Sequence, residues 1–252
     1  MRAYLPLAVR LGVLALLILY LVRPQTFAPA LSLLTEPGQP PIYDRADVLS
    51  LTLSHLTTVF IAISAATIVG VGLAILVTRP IGEEFLPLSR SIVNIGQTFP
   101  PVAVLALAVP IVGFGEAPTL IALFLYGLLP IFENALTGLS RVNPAVLDAA
   151  RGMGMTETER LWQVDLPLAL PVILEGIRLS VAIGLSTATI GSTVAAKGLG
   201  EVIIAGLSSN NLAFIVQGGV VVAVVAVLIY DGLSGVERLV ARRAGTVLQE
   251  ES

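Results

Sequence analysis

The chain has 252 residues, 56% of them hydrophobic and only 12% charged, with a mean hydropathy of +0.93. A soluble domain needs more surface charge than this, so the composition excludes one and points to an integral membrane protein. A net charge of −3 without a basic cluster excludes nucleic-acid binding, and the lack of cysteine excludes disulfides, thiol catalysis and thiolate metal sites.

Windows of about 19 residues predict six spans, near 4–22, 56–78, 90–112, 118–139, 172–195 and 212–233. Several uninterrupted apolar runs reach the roughly 20 residues that a hydrocarbon core about 30 Å thick requires. The first contains Arg10 and a short apolar run from Leu11 to Val22, and "APA" follows at 28–30. That pattern resembles a cleavable signal peptide, but multi-span proteins commonly keep the first span as an uncleaved start, and it is read here as retained. The second span opens near His55, the only histidine, which is expected at the membrane interface rather than as a ligand or base. Ala62, Ala66, Gly70 and Ala74 then follow at a spacing of four. Such small residues form a groove that lets neighbouring backbones approach closely in lipid.

The third span, "GQTFPPVAVLALAVP", holds Pro100 and Pro101 near its middle, where they remove backbone donors and clash with the preceding turn. A broken helix at membrane depth must be buried in protein or line a water-filled cavity. Gln97 and Thr98 are best placed to face such a cavity, and a kink serving packing alone fits equally well. The fourth span carries Glu133 and Asn134 beyond Pro130, toward its inner end. A charge at the bilayer centre costs roughly 2.5–3.5 kcal/mol on insertion scales, so such residues are expected near an interface.

Between the fourth and fifth spans lies "NPAVLDAARGMGMTETERLWQVDLPLALP", residues 143–171. Asn143 followed by Pro144 reads as an N-cap with proline at the first helical position, and the glycines at 152 and 154 end that helix. Thr156 with Glu159 is a capping box opening a second helix, which is expected to stop by Leu166 ahead of Pro167. Ala149 and Ala150 keep one face of the first helix low, with Val146 and Leu147 as apolar anchors and Asp148 at the rim. This is either a shape for docking into a partner's groove or a hairpin that merely links two spans.

The fifth span repeats the small-residue spacing with Gly176, Ser180, Gly184, Ala188 and Ser192. This is simple packing, or else Ser186, Thr187, Thr189 and Ser192 add hydroxyls to a polar path. Glu175 and Arg178 are three apart and can pair across one turn. With the N-terminus inside, Arg2, Arg10, Arg79, Arg90, Arg141, Arg151, Arg160, Arg238, Arg242 and Arg243 lie on the cytoplasmic side, against Arg23, Arg45 and Lys197 outside. That asymmetry puts both termini and the segment 141–171 in the cytoplasm. No carboxylate ladder crosses the spans, which counts against a proton-driven carrier. No HExxH, GxSxG or phosphate loop ending in Lys-Ser or Lys-Thr occurs either, so neither intramembrane hydrolysis nor ATP cleavage has a toolkit in this chain.

"DAARGMGMTETERLWQVDLP" resembles the cytoplasmic signature of ATP-binding-cassette importer permeases: Glu-Ala-Ala, three residues, Gly, nine residues, Ile, any residue, Leu-Pro. It falls on Asp148, Ala149, Ala150, Gly154, Val164, Leu166 and Pro167 with every spacing kept, Asp replacing Glu and Val replacing Ile. "GQTFPPVAVLALAVPIVGFG", "IALFLYGLLPI", "RGMGM", "DLPLALPVILEGIRLS" and "TATIGSTVAAKGLG" are similar to permeases of osmoprotectant importers for glycine betaine, choline or carnitine, although Lys197 stands where many members have small residues.

The resemblance implies an all-α integral membrane protein with the type I importer permease fold of about six transmembrane helices. Residues 1–55 would be an N-terminal span and outer loop, 56–233 the permease core with its coupling segment at 141–171, and 234–252 a cytoplasmic tail. It implies a transport subunit rather than an enzyme, in a bacterial inner membrane. Its partners would be cytoplasmic ATPase subunits, an extracytoplasmic binding protein and a second permease copy or relative. ATP and magnesium would sit on the ATPase, with no cofactor or metal on this chain. Asp148, Ala149, Ala150, Gly154, Leu166 and Pro167 would couple to the ATPase. Gln97, Thr98, Phe99, Tyr126, Ser186, Thr187 and Thr189 are the candidate path residues. The alternatives are a permease for another small zwitterion, an ion-coupled secondary carrier, or a structural scaffold.

Overall fold

The computed structural model describes residues 7–243. Arg2, the start of the span expected at 4–22 and the end of the 234–252 tail lie outside them. The described residues are helical, without a strand: α1 (Leu7–Val22), α2 (Val48–Val77), α3 (Leu86–Thr98), α4 (Pro101–Val112), α5 (Glu116–Ser140), α6 (Pro144–Gly152), α7 (Leu166–Thr187), α8 (Gly200–Ser208) and α9 (Leu212–Arg243), joined by short turns. Four stretches are long and apolar enough to cross a bilayer: Val48–Val77, Glu116–Ser140, Glu157–Val194 and Leu212–Arg243. Two bent pairs, Leu7–Val22 with Pro24–Leu34 at 110° and Glu83–Thr98 with Pro101–Val112 at 96°, raise the number to six if each counts as one span.

The third expected span is broken at Pro100, one of the two readings its prolines left open. α3 and α4 have 13 and 12 residues, or about 20 Å each, so neither crosses a 30 Å core alone. Phe99 is extended (ψ 140°) because the residue before a proline avoids helix, and Pro101 starts afresh as the first residue of α4. α2 begins eight residues before its expected start, since Asp47 Oδ2 accepts the Ser50 N–H at 2.8 Å and caps it.

Two compact units divide the described residues, one of 7–61, 101–122 and 185–229, the other of 62–100, 123–184 and 230–243. In the first, buried polar side chains satisfy one another, as a water-poor environment demands. Gln217 Oε1 accepts from the Tyr20 hydroxyl (2.8 Å) and the Tyr43 N–H (3.2 Å), while its Nε2 donates to the carbonyls of Pro41 and Ala213 (both 2.9 Å). Asn211 caps α9 by accepting the Phe214 N–H and holds the loop ahead of α2 through the Pro40 carbonyl at 2.9 Å. The Tyr43 hydroxyl donates to Glu201, and burial first, then that carboxylate, pushes its pKa up to about 12. His55 departs from the interfacial position expected of it: it is 2% exposed and its Nε2 lies 3.0 Å from the Leu185 carbonyl.

The second unit packs Ala74 and Val77 of α2, Val93 of α3, Leu128, Phe132, Ala135, Leu136 and Leu139 of α5, and Ala169 and Ile173 of α7 into one core. Gly70 of the first small-residue stripe, and Gly176 and Ser180 of the second, face α5. A Cβ on Gly70 would stand 3.1 Å from Ile131, and one on Gly176 would stand 2.7 Å from the Pro130 carbonyl. Ser180, fully buried, donates to the Gly127 carbonyl at 2.8 Å. In this unit the stripes are packing grooves, where close backbones gain dispersion that lipid cannot match.

Candidate functional site

The segment from Asn143 builds itself from local hydrogen bonds. Asn143 Oδ1 accepts the Ala145 N–H at 2.9 Å, Pro144 opens α6, and nine residues later the helix closes. Gly154 is left-handed (φ +78°); its N–H donates to the Arg151 carbonyl at 2.9 Å, and the Met155 N–H donates to the Ala150 carbonyl at 3.2 Å. That is a Schellman closure with Gly154 at the one position that favours a residue without Cβ. The capping box follows: Thr156 Oγ1 accepts the Glu159 N–H at 3.3 Å, and Glu159 Oε2 accepts the Thr156 N–H at 2.8 Å. Those bonds from Thr156, the backbone one first, hold the Glu159 carboxyl below its ordinary pKa.

The second short helix does not stop by Leu166 as expected. The turn Glu157–Arg160 runs on through a π-turn, Leu161–Asp165, into α7. Leu166 N–H reaches back five residues to the Leu161 carbonyl. The widened turn makes room for the ring of Pro167, which a regular helix would press against the carbonyl four residues earlier.

The faces of α6 differ. Val146, Ala149 and Met153 share one side at helical spacing and are exposed, Met153 at 69%. Ala150 instead points inward, 1% exposed, with Leu147 half-buried beside it. Asp148 is exposed and pairs only with the equally exposed Arg151, at 3.2 Å, a contact worth little in water. Trp162, 67% exposed, adds an aromatic ring on the following turn. Leu166 is half-buried and Pro167 exposed.

The candidate path residues fall in both units. Gln97, Phe99 and Tyr126 are brought together in one of them: Gln97 Nε2 donates to the Tyr126 carbonyl at 3.2 Å, and the Tyr126 hydroxyl donates to the Phe99 carbonyl. Pro130 has no N–H to offer the carbonyl of Tyr126, and the break at Pro100 frees that of Phe99, so each orphaned acceptor gains a side-chain donor. Thr98, exposed, bonds back to the Ile95 carbonyl at 2.7 Å. Ser186, Thr187 and Thr189 belong to the other unit; Ser186 is exposed, and Thr189 donates to its carbonyl at 2.7 Å.

Sequence reasoning missed a cluster of charges beside α6. Arg79, just past α2, places Nη2 2.6 Å from Asp165 Oδ2 and Nη1 3.8 Å from Glu157. Arg160 Nε lies 3.4 Å from the same Asp165 oxygen, and its Nη2 lies 2.9 Å from Glu157. Side-chain exposure is 14% for Arg79, 10% for Arg160 and 4% for Asp165. The one available signal was a carboxylate at the position the signature leaves free, between Val164 and Leu166. A second buried cation, Arg178, pairs with Glu175 as expected (3.7 Å), and also with Glu237 of α9 (3.1 Å) and the face of Tyr230 (4.6 Å).

Residues 66–244 match the family model described as "Binding-protein-dependent transport system inner membrane component". Among curated proteins, the chain is 40% identical over 185 residues to the osmoprotectant import permease protein OsmY of Salmonella typhimurium, covering 73% of this chain and 78% of that one. It is 38% identical over 192 residues to the choline transport system permease protein OpuBB of Bacillus subtilis, covering 76% and 88%. Among solved structures, inward-facing forms of the MetNI methionine ABC transporter align with a TM-score of 0.67 at 21% identity, over 75% of this chain and 93% of that one. An amino acid ABC transporter with histidines aligns at 0.64 and 20% identity, over 76% and 93%. At such identities these two structures speak for the fold alone.

Proposed function

This chain belongs to the family of binding-protein-dependent transport system inner membrane components, and we propose that it is the permease subunit of an ATP-driven importer for a quaternary-amine osmoprotectant such as glycine betaine, choline or carnitine. The observation that carries the ATP-driven part is α6: a capped helix whose apolar and acidic residues Val146, Asp148, Ala149 and Met153 stay exposed, whereas Gly70 and Gly176 of the spans pack closely on α5. The cargo class follows the printed names of the relatives.

In this reading a cytoplasmic ATPase receives α6, and Asp148, Ala149 and Gly154 form the coupling surface and its pivot. Ala150, buried, and Leu166, half-buried, hold that surface to the fifth span, and Pro167 fixes how the segment hands over to it. ATP and magnesium belong to the ATPase. A second permease copy or relative completes the path, and a binding protein delivers cargo from outside. Gln97, Thr98, Phe99, Tyr126, Ser186, Thr187 and Thr189 line that path, both termini lie in the cytoplasm, and the functional core runs over 56–233 with the coupling segment at 141–171. Aromatics are only 6% of the chain, so the cation–π cage that would select a quaternary amine belongs to the binding protein.

The test is reconstitution in liposomes with a candidate partner ATPase and binding protein, followed by uptake of glycine betaine, choline and carnitine. Uptake of one of them that needs both ATP and the binding protein is the expected result. Gradient-driven uptake by the purified chain alone would instead establish a secondary carrier, and ATP-dependent uptake confined to another zwitterion would overturn the cargo.

A further inference from the structure

We infer that Asp165 and Arg79 are positioning residues of the coupling machinery, a joint that makes the end of α2 move with the segment following α6. The inference rests on the proposed docking of α6 and extends it to residues outside the signature.

The carboxylate of Asp165 is shared. Its Oδ2 meets Arg79 from one side at 2.6 Å and Arg160 from the other at 3.4 Å, while Glu157 bridges the same two guanidiniums at 3.8 and 2.9 Å. Two arginines and two carboxylates balance in charge; Asp165 is only 4% exposed and both arginines are largely covered, while the Glu157 side chain, 61% exposed, closes the cluster at its rim. Arg79 is fixed to α2 by its turn: its N–H donates to the Leu76 carbonyl at 3.2 Å, and its carbonyl accepts from Gly82 and Glu83 at 2.9 and 3.0 Å. Gly82 lets that turn fold back onto the helix end, since a Cβ there would stand 2.2 Å from the Leu76 carbonyl. Asp165 is fixed to α7 as the last residue of the π-turn, whose extra residue turns the side chains that follow by about 100°. Arg160 is fixed to the capping box that begins where the Gly154 closure ends. One carboxylate thus ties together the end of α2, the start of α7 and the turn that leads back to α6.

Stability alone gives little reason for this arrangement. A buried ion pair seldom stabilises a fold more than apolar residues of the same size would, and its best-attested use is to fix register. The cluster is also incompletely satisfied: Asp165 Oδ1 and Arg79 Nε are buried without hydrogen-bond partners. Buried groups left unsatisfied cost stability, so the cluster is poorly suited to serve the fold alone. Without it, α6 would pull on α7 through the chain, and the end of α2 would follow only through the apolar core it shares with α7.

The experiment uses the reconstituted importer with its ATPase and binding protein, and reads cargo taken up per ATP hydrolysed. Asp165→Asn removes the charge at constant size, Arg79→Gln breaks the joint from the α2 side, and Asp165→Glu restores the charge. Spin labels on Thr158→Cys and Ile81→Cys, both exposed positions in a chain without cysteine, report the spacing across the joint with and without a non-hydrolysable ATP analogue. The expected result is an assembled complex that still hydrolyses ATP, with uptake per ATP lowered about tenfold in Asp165→Asn and Arg79→Gln and largely recovered in Asp165→Glu. The label spacing stays fixed on nucleotide binding in the parent and changes in the two broken variants.

Unchanged uptake per ATP in an assembled Asp165→Asn or Arg79→Gln complex overturns the inference. Failure of both variants to assemble also overturns it, because the cluster would then be a folding element only. A parent complex that binds nucleotide yet takes up none of the cargoes refutes the cargo reading and leaves the label measurement to decide the joint. A parent whose ATPase never binds refutes the docking reading instead.

Discussion

Gly176 and Gly72 show how differently one residue type acts in two helices. At Gly176 an added methyl would stand 2.7 Å from both the Pro130 carbonyl oxygen and the Asn134 Cβ, whereas at Gly72 nothing lies within 4 Å. Since one contact is backbone, no rotamer relieves the clash, and α7 must move away from α5. Gly176→Ala is expected to cost about 1–3 kcal/mol by overpacking, while Gly72→Ala stays within about 0.5 kcal/mol of the parent; thermal unfolding midpoints in detergent check both. The four-residue spacing revealed the stripe, but not which member faces a backbone. Gly154 was more legible, because a glycine after a capped helix and before a capping box has one common use, the left-handed closure that the structure shows.

At the scale of the element, α6 reads correctly from its caps and less well from its faces. Asn143, Pro144, Gly154, Thr156 and Glu159 act on neighbours within five residues, so the sequence contains both ends of each bond. Ala149 and Ala150 look alike in sequence, yet one is exposed and the other 1% exposed, because 100° of helical rotation separates adjacent side chains. A water-soluble maleimide is therefore expected to label Ala149→Cys rapidly and Ala150→Cys hardly at all in the isolated permease. Bound ATPase should protect Ala149→Cys; equal labelling with and without it would remove that face from the coupling surface. The continuation of the 157–165 turn into α7 escaped the sequence reading for a related reason. The rule that helix ends before proline assumes regular α geometry, and a π-turn suspends it.

For the molecule as a whole, hydropathy located the spans because insertion energy depends on summed composition over about 20 residues and little on arrangement. The arginine asymmetry from which their orientation is expected is likewise a sum. It leads to the expectation that a C-terminal fluorescent fusion which matures only in the cytoplasm will glow, and that an alkaline phosphatase fused there will stay inactive. The reverse pattern would place α6 outside the cell and end the ATPase reading. The sequence by itself thus determined the helical class, the approximate spans, the caps and the signature segment, all of which rest on local bonds or on additive transfer energies. Only the tertiary structure decided the packing of Gly70 and Gly176 on α5 and the burial of His55. It alone also paired Arg79 with Asp165, 86 positions away in the chain. Those outcomes depend on which distant side chain fills a given gap or answers a given charge, and that is settled only when the helices meet.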